Sequence, residues 1–313
     1  MGPRMAEKKF RLVTRSDFDG VVCGTLLMEL GLIDSVMFTE PQEMQQGKVS
    51  ISENDIITNL PYVAGAHLCF DHHVSESQRL EQNDNRIIDP DAPSAARVVY
   101  THFGGKSGFP NISTELMEAV DQADSAQYDG EEIMVPQGWT LLNFIIDPRT
   151  GLESVRDFSV EKEDLMERLM TYCRHNPIDE ILALPDVIER VEAYNFNTEF
   201  GELQLERCSK LVGKAIVTDL RNEDKACMVN RFMVYALHPE AEVSINVSPG
   251  PDEGRCSIAV ARSVLNKSSD LNIGLIVLEY GGGGHAGAGV CRVENAKVDE
   301  VVEDFLRRIN GQV

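Results

Sequence analysis

Basic residues are scarce: 29 lysines and arginines stand against 51 aspartates and glutamates, a formal net charge of -22 over 313 residues. That imbalance argues against binding long duplex nucleic acid through a broad basic surface, because such binding neutralises many phosphates with Lys and Arg. An anionic substrate must therefore be short, or be met by a local cationic pocket or a metal ion. The chain also lacks any Cys-x-x-Cys pair. Its seven cysteines (Cys23, Cys69, Cys173, Cys208, Cys227, Cys256, Cys291) are odd in number and scattered. Neither a disulfide framework nor a zinc knuckle is indicated, and a reducing cytoplasm is the expected setting. No apolar run reaches the roughly 18 residues of a membrane span, and the opening MGPRMAEKKF has no apolar stretch long enough for a signal peptide. Fixed-period repeats and low-complexity segments are missing too, which excludes a solenoid and a long flexible linker.

What is present is a 42% hydrophobic, 26% charged chain, enough for two domains with real cores. Phe10 to Thr14 is a short apolar run that meets Ser16, Asp17, Asp19 and Gly20 before a helical pattern opens from Val21 to Leu30. This reads as strand, sharp turn, helix, and it places Asp17 and Asp19 at the carboxyl end of a strand, where open α/β sheets keep their ligand sites. Buried strands are predicted at Ser35 to Phe38, Asp55 to Thr58 and Ala66 to Phe70, the last ending on Asp71, His72 and His73. Helices are predicted at Ser94 to His102, Thr114 to Ala126, Val160 to Cys173 and Ile178 to Tyr194. Strand patterns return at Lys214 to Thr218, Phe232 to Leu237, Glu242 to Val247 and Ser257 to Ala261, and a helix at Val298 to Ile309 closes the chain. The alternation implies an α/β protein with a mostly parallel sheet. The expected organisation is residues 1–195 as a metal-binding domain, 196–213 as a connecting helix, and 214–313 as a smaller α/β domain.

Three constellations carry chemistry. Asp17 and Asp19, one residue apart at a turn, can aim two carboxylates into one cleft as a hard divalent cation needs, although Asp-x-Asp-Gly is also ordinary turn chemistry. Asp71-His72-His73 combines a carboxylate with imidazoles, a mixture suited to Mn²⁺ or a related transition ion. Adjacent histidines face different ways, so one is a ligand at most and the other is free to meet substrate. Asp121 and Asp124 share a helix face, and one of them could complete a metal shell. In the glycine run Gly281 to Gly284 before His285, backbone N–H groups can approach an anion closely, with a helix start or nest supplying positive partial charge. Close packing of small residues is the alternative explanation for the glycines. Arg262, followed by Ser263, could give a bidentate contact to phosphate. His67, His102, His175 and His238 have no cluster around them and read as structural.

Taken in order, Ser16-Asp17-Phe18-Asp19-Gly20, Asp71-His72-His73, Ala123-Asp124-Ser125, Arg262-Ser263 and Gly282-Gly283-Gly284-His285-Ala286-Gly287-Ala288-Gly289 resemble the DHH phosphoesterase superfamily, the last two motifs resembling its type-1 DHH-associated domain. The resemblance runs from Leu12 to Gly289. Relatives include RecJ-like exonucleases, oligoribonuclease/pAp phosphatases, cyclic-dinucleotide phosphodiesterases and exopolyphosphatase-related proteins. It implies a two-domain fold with an active-site cleft between the domains. It further implies Mn²⁺, with Mg²⁺ or Co²⁺ as substitutes, held by Asp17, Asp19, His72 and Asp124. Asp71 and His73 would be catalytic, with His73 beside the scissile phosphate. Arg262, Ser263, Gly282, Gly283, Gly284 and His285 would grip the substrate. The substrate implied is a small phosphate compound or a short single-stranded oligonucleotide, and a homodimer is left open.

Two positions depart from the family pattern. A histidine usually stands four residues before the first aspartate, where this chain has Val13, and a metal-bridging aspartate stands where Asn59 is read here. The resemblance therefore leaves one or two ions open. Two functions follow: a metal-dependent hydrolase of a short phosphoester or phosphoanhydride, or a nucleotide- or nucleic-acid-binding protein that has lost hydrolysis with part of the two-metal site. In the enzyme reading Asp19 and His72 sit at a loop edge, so alanine at either should abolish turnover without unfolding the protein.

Overall fold

A computed structural model describes residues 8–73, 83–154, 157–226 and 228–312. Cys227 and the first seven residues lie outside the described residues. The other six cysteines are free thiols, as the scattered spacing predicts. The chain forms two compact units, Met1–Gln127 with Gln137–Glu192, and Tyr128–Pro136 with Ala193–Val313.

In the first unit, β1 (Phe10–Thr14), β2 (Ile33–Phe38), β3 (Asp55–Thr58), β4 (Leu68–Asp71) and β5 (Arg86–Ile88) form one sheet in the order β2-β1-β3-β4-β5. Every pairing in it is parallel. A parallel strand is covered on both faces, so its sequence is continuously apolar rather than alternating. All four residues of β3 are buried, and Leu12, Val13, Ile56, Ile57, Cys69 and Phe70 are fully inside. Helices Phe18–Glu29, Ala95–His102, Thr114–Asp124 and Lys162–His175 flank the sheet. The order reverses direction between β1 and β3, and such a switch point opens a crevice at the carboxyl ends of the strands.

The predicted Ile178 to Tyr194 helix is two helices, Ile178–Leu182 and Pro185–Cys208. Pro185 separates them: proline disfavours helical geometry in the residue before it, yet suits the first position of the next helix.

The second unit holds a six-stranded sheet in the order β10-β11-β9-β8-β7-β6, where β6 is Ser209–Val212, β7 Ala215–Asp219, β8 Val243–Pro249, β9 Arg255–Arg262, β10 Gly283–His285 and β11 Ala288–Glu294. Only β7 and β8 run parallel. One face carries a core in which Ile245, Ile258, Val260 and Cys291 meet Ile273 and Val277 of helix Ile273–Leu278 and Phe305 of helix Val298–Ile309. The two-residue alternation of burial along β8 and β11 is that of a sheet with one covered face.

Phe232 to Leu237, predicted as a strand, is instead a helix over Met233–Leu237. A short unbroken apolar run has no period that separates the two, and tertiary packing decides. Val234 and Tyr235 join Ile216 and Ala241 in a small core, and the Tyr235 hydroxyl reaches Ser244 Oγ at 2.6 Å and donates to the Ala261 carbonyl at 3.0 Å.

Candidate active site

The carboxyl ends of β1, β3 and β4 bring the first-unit residues together. Beyond β1 the chain turns sharply, and Asp17 caps the Phe18–Glu29 helix by accepting the Gly20 N–H at 3.0 Å. Gly20 is obligatory in this turn, since a Cβ there would lie 2.1 Å from the Arg15 carbonyl oxygen. Asp19, in the first helical turn and 2% exposed, accepts the Ala95 and Ala96 N–H groups at 3.0 and 2.8 Å. Its carboxylate therefore also holds the start of the Ala95–His102 helix, where negative charge is favoured. Asp19 is thus not at the expected loop edge but buried on a helix.

His72 follows β4 directly. Its Nδ1 lies 3.1 Å from the Ala92 carbonyl, which can only accept, so Nδ1 carries a proton and the neutral ring turns the Nε2 lone pair inward. That Nε2 is 2.9 Å from Asp124 Oδ2, at the end of the Thr114–Asp124 helix. Two acceptors face each other there, an arrangement that requires a proton or a cation. Asp121, the other candidate on this helix, is engaged elsewhere: Ser94 Oγ donates to it at 2.7 Å and Arg97 Nε at 2.8 Å.

Ligand atoms of Asp19, His72 and Asp124 lie within 4.8 Å of one another. This donor set fits a divalent ion. Ligands about 2.1 Å from a metal at right angles are about 3 Å apart, close to the His72–Asp124 separation of 2.9 Å. Asp71 Oδ2, Asn59 Oδ1 and Ser16 Oγ are buried without a hydrogen-bond partner. Native interiors leave few such groups, and acceptors without donors mark cation sites.

The electrostatics are strained without a cation. Burial is the largest cause raising the Asp17 pKa, opposed by Arg15 and reinforced by Asp124. Asp19 is raised well above the usual carboxylate value, first by burial and then by the charge of Asp124. Burial works to lower the His72 pKa, but the hydrogen bond and charge of Asp124, with Asp19, push it up to about 9. The metal-free site thus holds a proton where an ion would bind.

Asp71 is 1% exposed, and its Oδ1 accepts the His72 and His73 N–H groups and the His73 Nδ1–H, the last at 2.7 Å. This orients the half-exposed His73 ring and leaves its Nε2 for a substrate oxygen.

Asn59 does reach this site: it leaves β3 at a φ of 56°, tolerable for asparagine, and its Nδ2 donates to Asp17 at 3.2 Å. Val13 does not face it. That side chain is fully buried in an apolar cluster with Met44, Ile57, Leu60 and Cys69.

In the second unit, Arg262 at the end of β9 is joined to the glycine-rich hairpin by its own N–H, which donates to the Gly287 carbonyl at 2.8 Å, and its Nη1 donates to the Ser269 carbonyl at 3.3 Å. His285 is exposed, with Nδ1 accepting the Gly287 N–H at 3.1 Å. The glycine run forms no helix start: Gly283 to His285 is strand β10, paired with β11. Close packing accounts for part of the run, because a Cβ on Gly282 or Gly284 would lie 2.4 or 2.3 Å from a backbone carbonyl oxygen. Gly283 differs, having nothing within 4 Å of such a Cβ. Ser263 is 5% exposed and its Oγ accepts the N–H groups of Leu265 and Asn266, so it shapes the turn after β9.

No protein-family model and no curated protein matches the chain. Among solved structures, the fold matches the pGpG-specific phosphodiesterase PggH of Vibrio cholerae with a TM-score of 0.87 and 47% identity, over 97% of this chain and 99% of that one. The chain belongs to the DHH phosphoesterase superfamily. RecJ of Thermus thermophilus, solved with Mn²⁺, shares the DHH fold at a TM-score of 0.56 and 15% identity, over 96% of this chain and 52% of RecJ. CDC45 of Entamoeba histolytica does so at 0.52 and 9%, over 97% and 95%. The α/β architecture and the phosphoesterase class expected of a DHH protein are thus in place, and its acidic cluster fits a divalent ion. No helix among the described residues is long and apolar enough to cross a membrane.

Sequence reasoning missed the residues that support the DHH site. Ala92, Ala95 and Ala96 act through backbone atoms, which no side-chain pattern reveals. Ser94 and Arg97 gave more signal: Ser94 stands where a helix cap is expected, and Arg97 is an acid's partner only once two distant helices meet.

Proposed function

We propose that this protein hydrolyses the phosphodiester bond of a short 5′-phosphorylated linear dinucleotide such as pGpG, water adding across the phosphorus–oxygen bond to give two mononucleotides. The observation that carries the proposal is the Asp19–His72–Asp124 cluster in a chain 47% identical to a pGpG-specific phosphodiesterase. A net charge of -22 fits a substrate with few phosphates better than a long strand.

A divalent ion at Asp19, His72 and Asp124 would polarise a phosphoryl oxygen and acidify the attacking water. We assign manganese to it, since mixed imidazole and carboxylate donors suit a transition ion. The protein's own groups do the rest. Ala92 holds the His72 tautomer, and the Ala95 and Ala96 N–H groups hold Asp19. His73, with Nδ1–H on Asp71, would act as an imidazolium that gives its Nε2 proton to the leaving ribose oxygen and regains one from solvent after turnover, its positive charge being balanced by the buried carboxylate. Arg262, His285 and the open backbone at Gly283 are assigned to phosphate binding in the second unit. The free cysteines suit a cytoplasmic setting.

The test is product formation from pGpG, pAp, longer ribo-oligonucleotides, a cyclic dinucleotide and polyphosphate. We expect pGpG to be cleaved fastest, with turnover abolished by EDTA, restored by Mn²⁺ and absent in His72→Ala. Tight binding of pGpG at saturating Mn²⁺ without any turnover would overturn the proposal in favour of a binding protein.

A further inference from the structure

Among the described residues two groups of three can hold an ion, Asp19–His72–Asp124 and Asp71–His72–His73, and they share His72. His72 has one lone pair to give, because its Nδ1 faces the Ala92 carbonyl. Both groups cannot be filled at once. The second is moreover closed by its own hydrogen bonds, with the His73 Nδ1–H on Asp71 Oδ1.

Asp17 belongs to neither group, although it lies in the same crevice. Its oxygens are already engaged: Oδ1 accepts the Gly20 N–H at 3.0 Å and Asn59 Nδ2 at 3.2 Å, and Oδ2 accepts Asn59 Nδ2 at 3.5 Å and forms an ion pair with Arg15 Nε at 3.4 Å. The Asn59 amide cannot be turned round, since its carbonyl would then face a carboxylate. Asn59 is 1% exposed, so its Oδ1, without a partner, is directed into the protein as a neutral acceptor. Arg15 is about three-quarters buried, and its Nε is paired with Asp17 by charge alone, without a hydrogen bond. A monocation and an amide thus occupy the donor side of Asp17, and no negative charge stands at Asn59 to hold a second dication.

We propose that the centre holds a single divalent ion at Asp19, His72 and Asp124, and that the Arg15 guanidinium, anchored by Asp17, supplies the second positive charge to the substrate's phosphoryl oxygens. This deepens the phosphodiesterase reading and rests on it. Guanidinium suits the task because it is permanently charged and presents several N–H donors, so that Asp17 and a phosphate can be engaged together.

The test is the Mn²⁺ content of the full chain, by elemental analysis after equilibrium dialysis and by electron paramagnetic resonance. We expect one ion per chain, with the spectrum of an isolated Mn²⁺. Arg15→Ala combined with Asn59→Asp restores a carboxylate and clears the cation, and should bind two ions with an exchange-coupled spectrum. Arg15→Ala alone should still bind one ion, while kcat/KM for bis(p-nitrophenyl) phosphate falls about a hundredfold and Arg15→Lys recovers part of it. Two ions in the wild-type protein would overturn the proposal. So would one ion in the double variant, or full activity in Arg15→Ala. The ion count needs no substrate, so it is separate from the assignment of pGpG.

Discussion

Removing the metal should leave a protein whose stability depends on pH through His72 and the carboxylates beside it. In the metal-free site the His72 pKa is pushed from 6.5 to about 9, mainly because the hydrogen bond and charge of Asp124 outweigh burial. The folded state then binds a proton more tightly than the unfolded chain does. This contribution is fully present below the unfolded pKa near 6.5 and is lost as pH rises through about 9. The size follows from the interval, about 3 kcal/mol for a side chain this well covered, His72 being 15% exposed. The raised carboxyl of Asp19 acts in the same direction, beginning at lower pH, because a proton there is also bound more tightly in the folded state. Urea unfolding in EDTA at pH 6, 7.5 and 9 measures the effect, with Asp124→Asn as the reference that removes the charge responsible. We expect the wild-type protein to lose about 3 kcal/mol more than Asp124→Asn over this range. Mn²⁺ competes with the same proton, so its affinity should rise over the interval. Parallel pH profiles for the two proteins would refute the pairing of His72 with Asp124.

Asp121→Asn should cost about 1–2 kcal/mol, because it weakens the Arg97 and Ser94 contacts, yet leave Mn²⁺ content unchanged; loss of the ion would mean that the wrong aspartate has been assigned. Asp19→Ala should remove activity and also lower the melting temperature, by about 1–3 kcal/mol equivalent for two unpaired buried N–H groups; an unchanged melting curve would show that Ala95 and Ala96 do not depend on it. Gly283→Ala should melt like the wild type and raise KM, whereas Gly282→Ala should melt earlier because its Cβ meets the Val290 carbonyl oxygen at 2.4 Å. Equal melting temperatures for the two would show that the hairpin tolerates a side chain at either position.

The legible parts of the site are those in which neighbours in sequence are neighbours in space. Asp17 and Asp19 follow β1, and Asp71, His72 and His73 stand at or just past the end of β4. An apolar run that stops on a carboxylate announces both the strand and the ligand. The limits of β3 and of the Val298–Ile309 helix also agree with the sequence reading. The strand predicted at Phe232 to Leu237 failed because its residues are apolar without a period, so the partner surface around Ile216 chose the helix. Likewise the glycine run announced close backbone approach but not its form, since a hairpin and a helix start use the same residues.

By itself the sequence determined the chemistry available: an acidic chain with paired carboxylates, an imidazole pair and a glycine-rich segment, in an order that few folds share. Only the tertiary structure decided which of these groups act together. Asp124 rather than Asp121 meets His72 because Arg97 occupies the other aspartate, and Asn59 turns its amide to Asp17 because two acceptors repel. Charge and hydrogen-bond demand are properties of a residue, but whether they are satisfied depends on neighbours that the chain brings from far away.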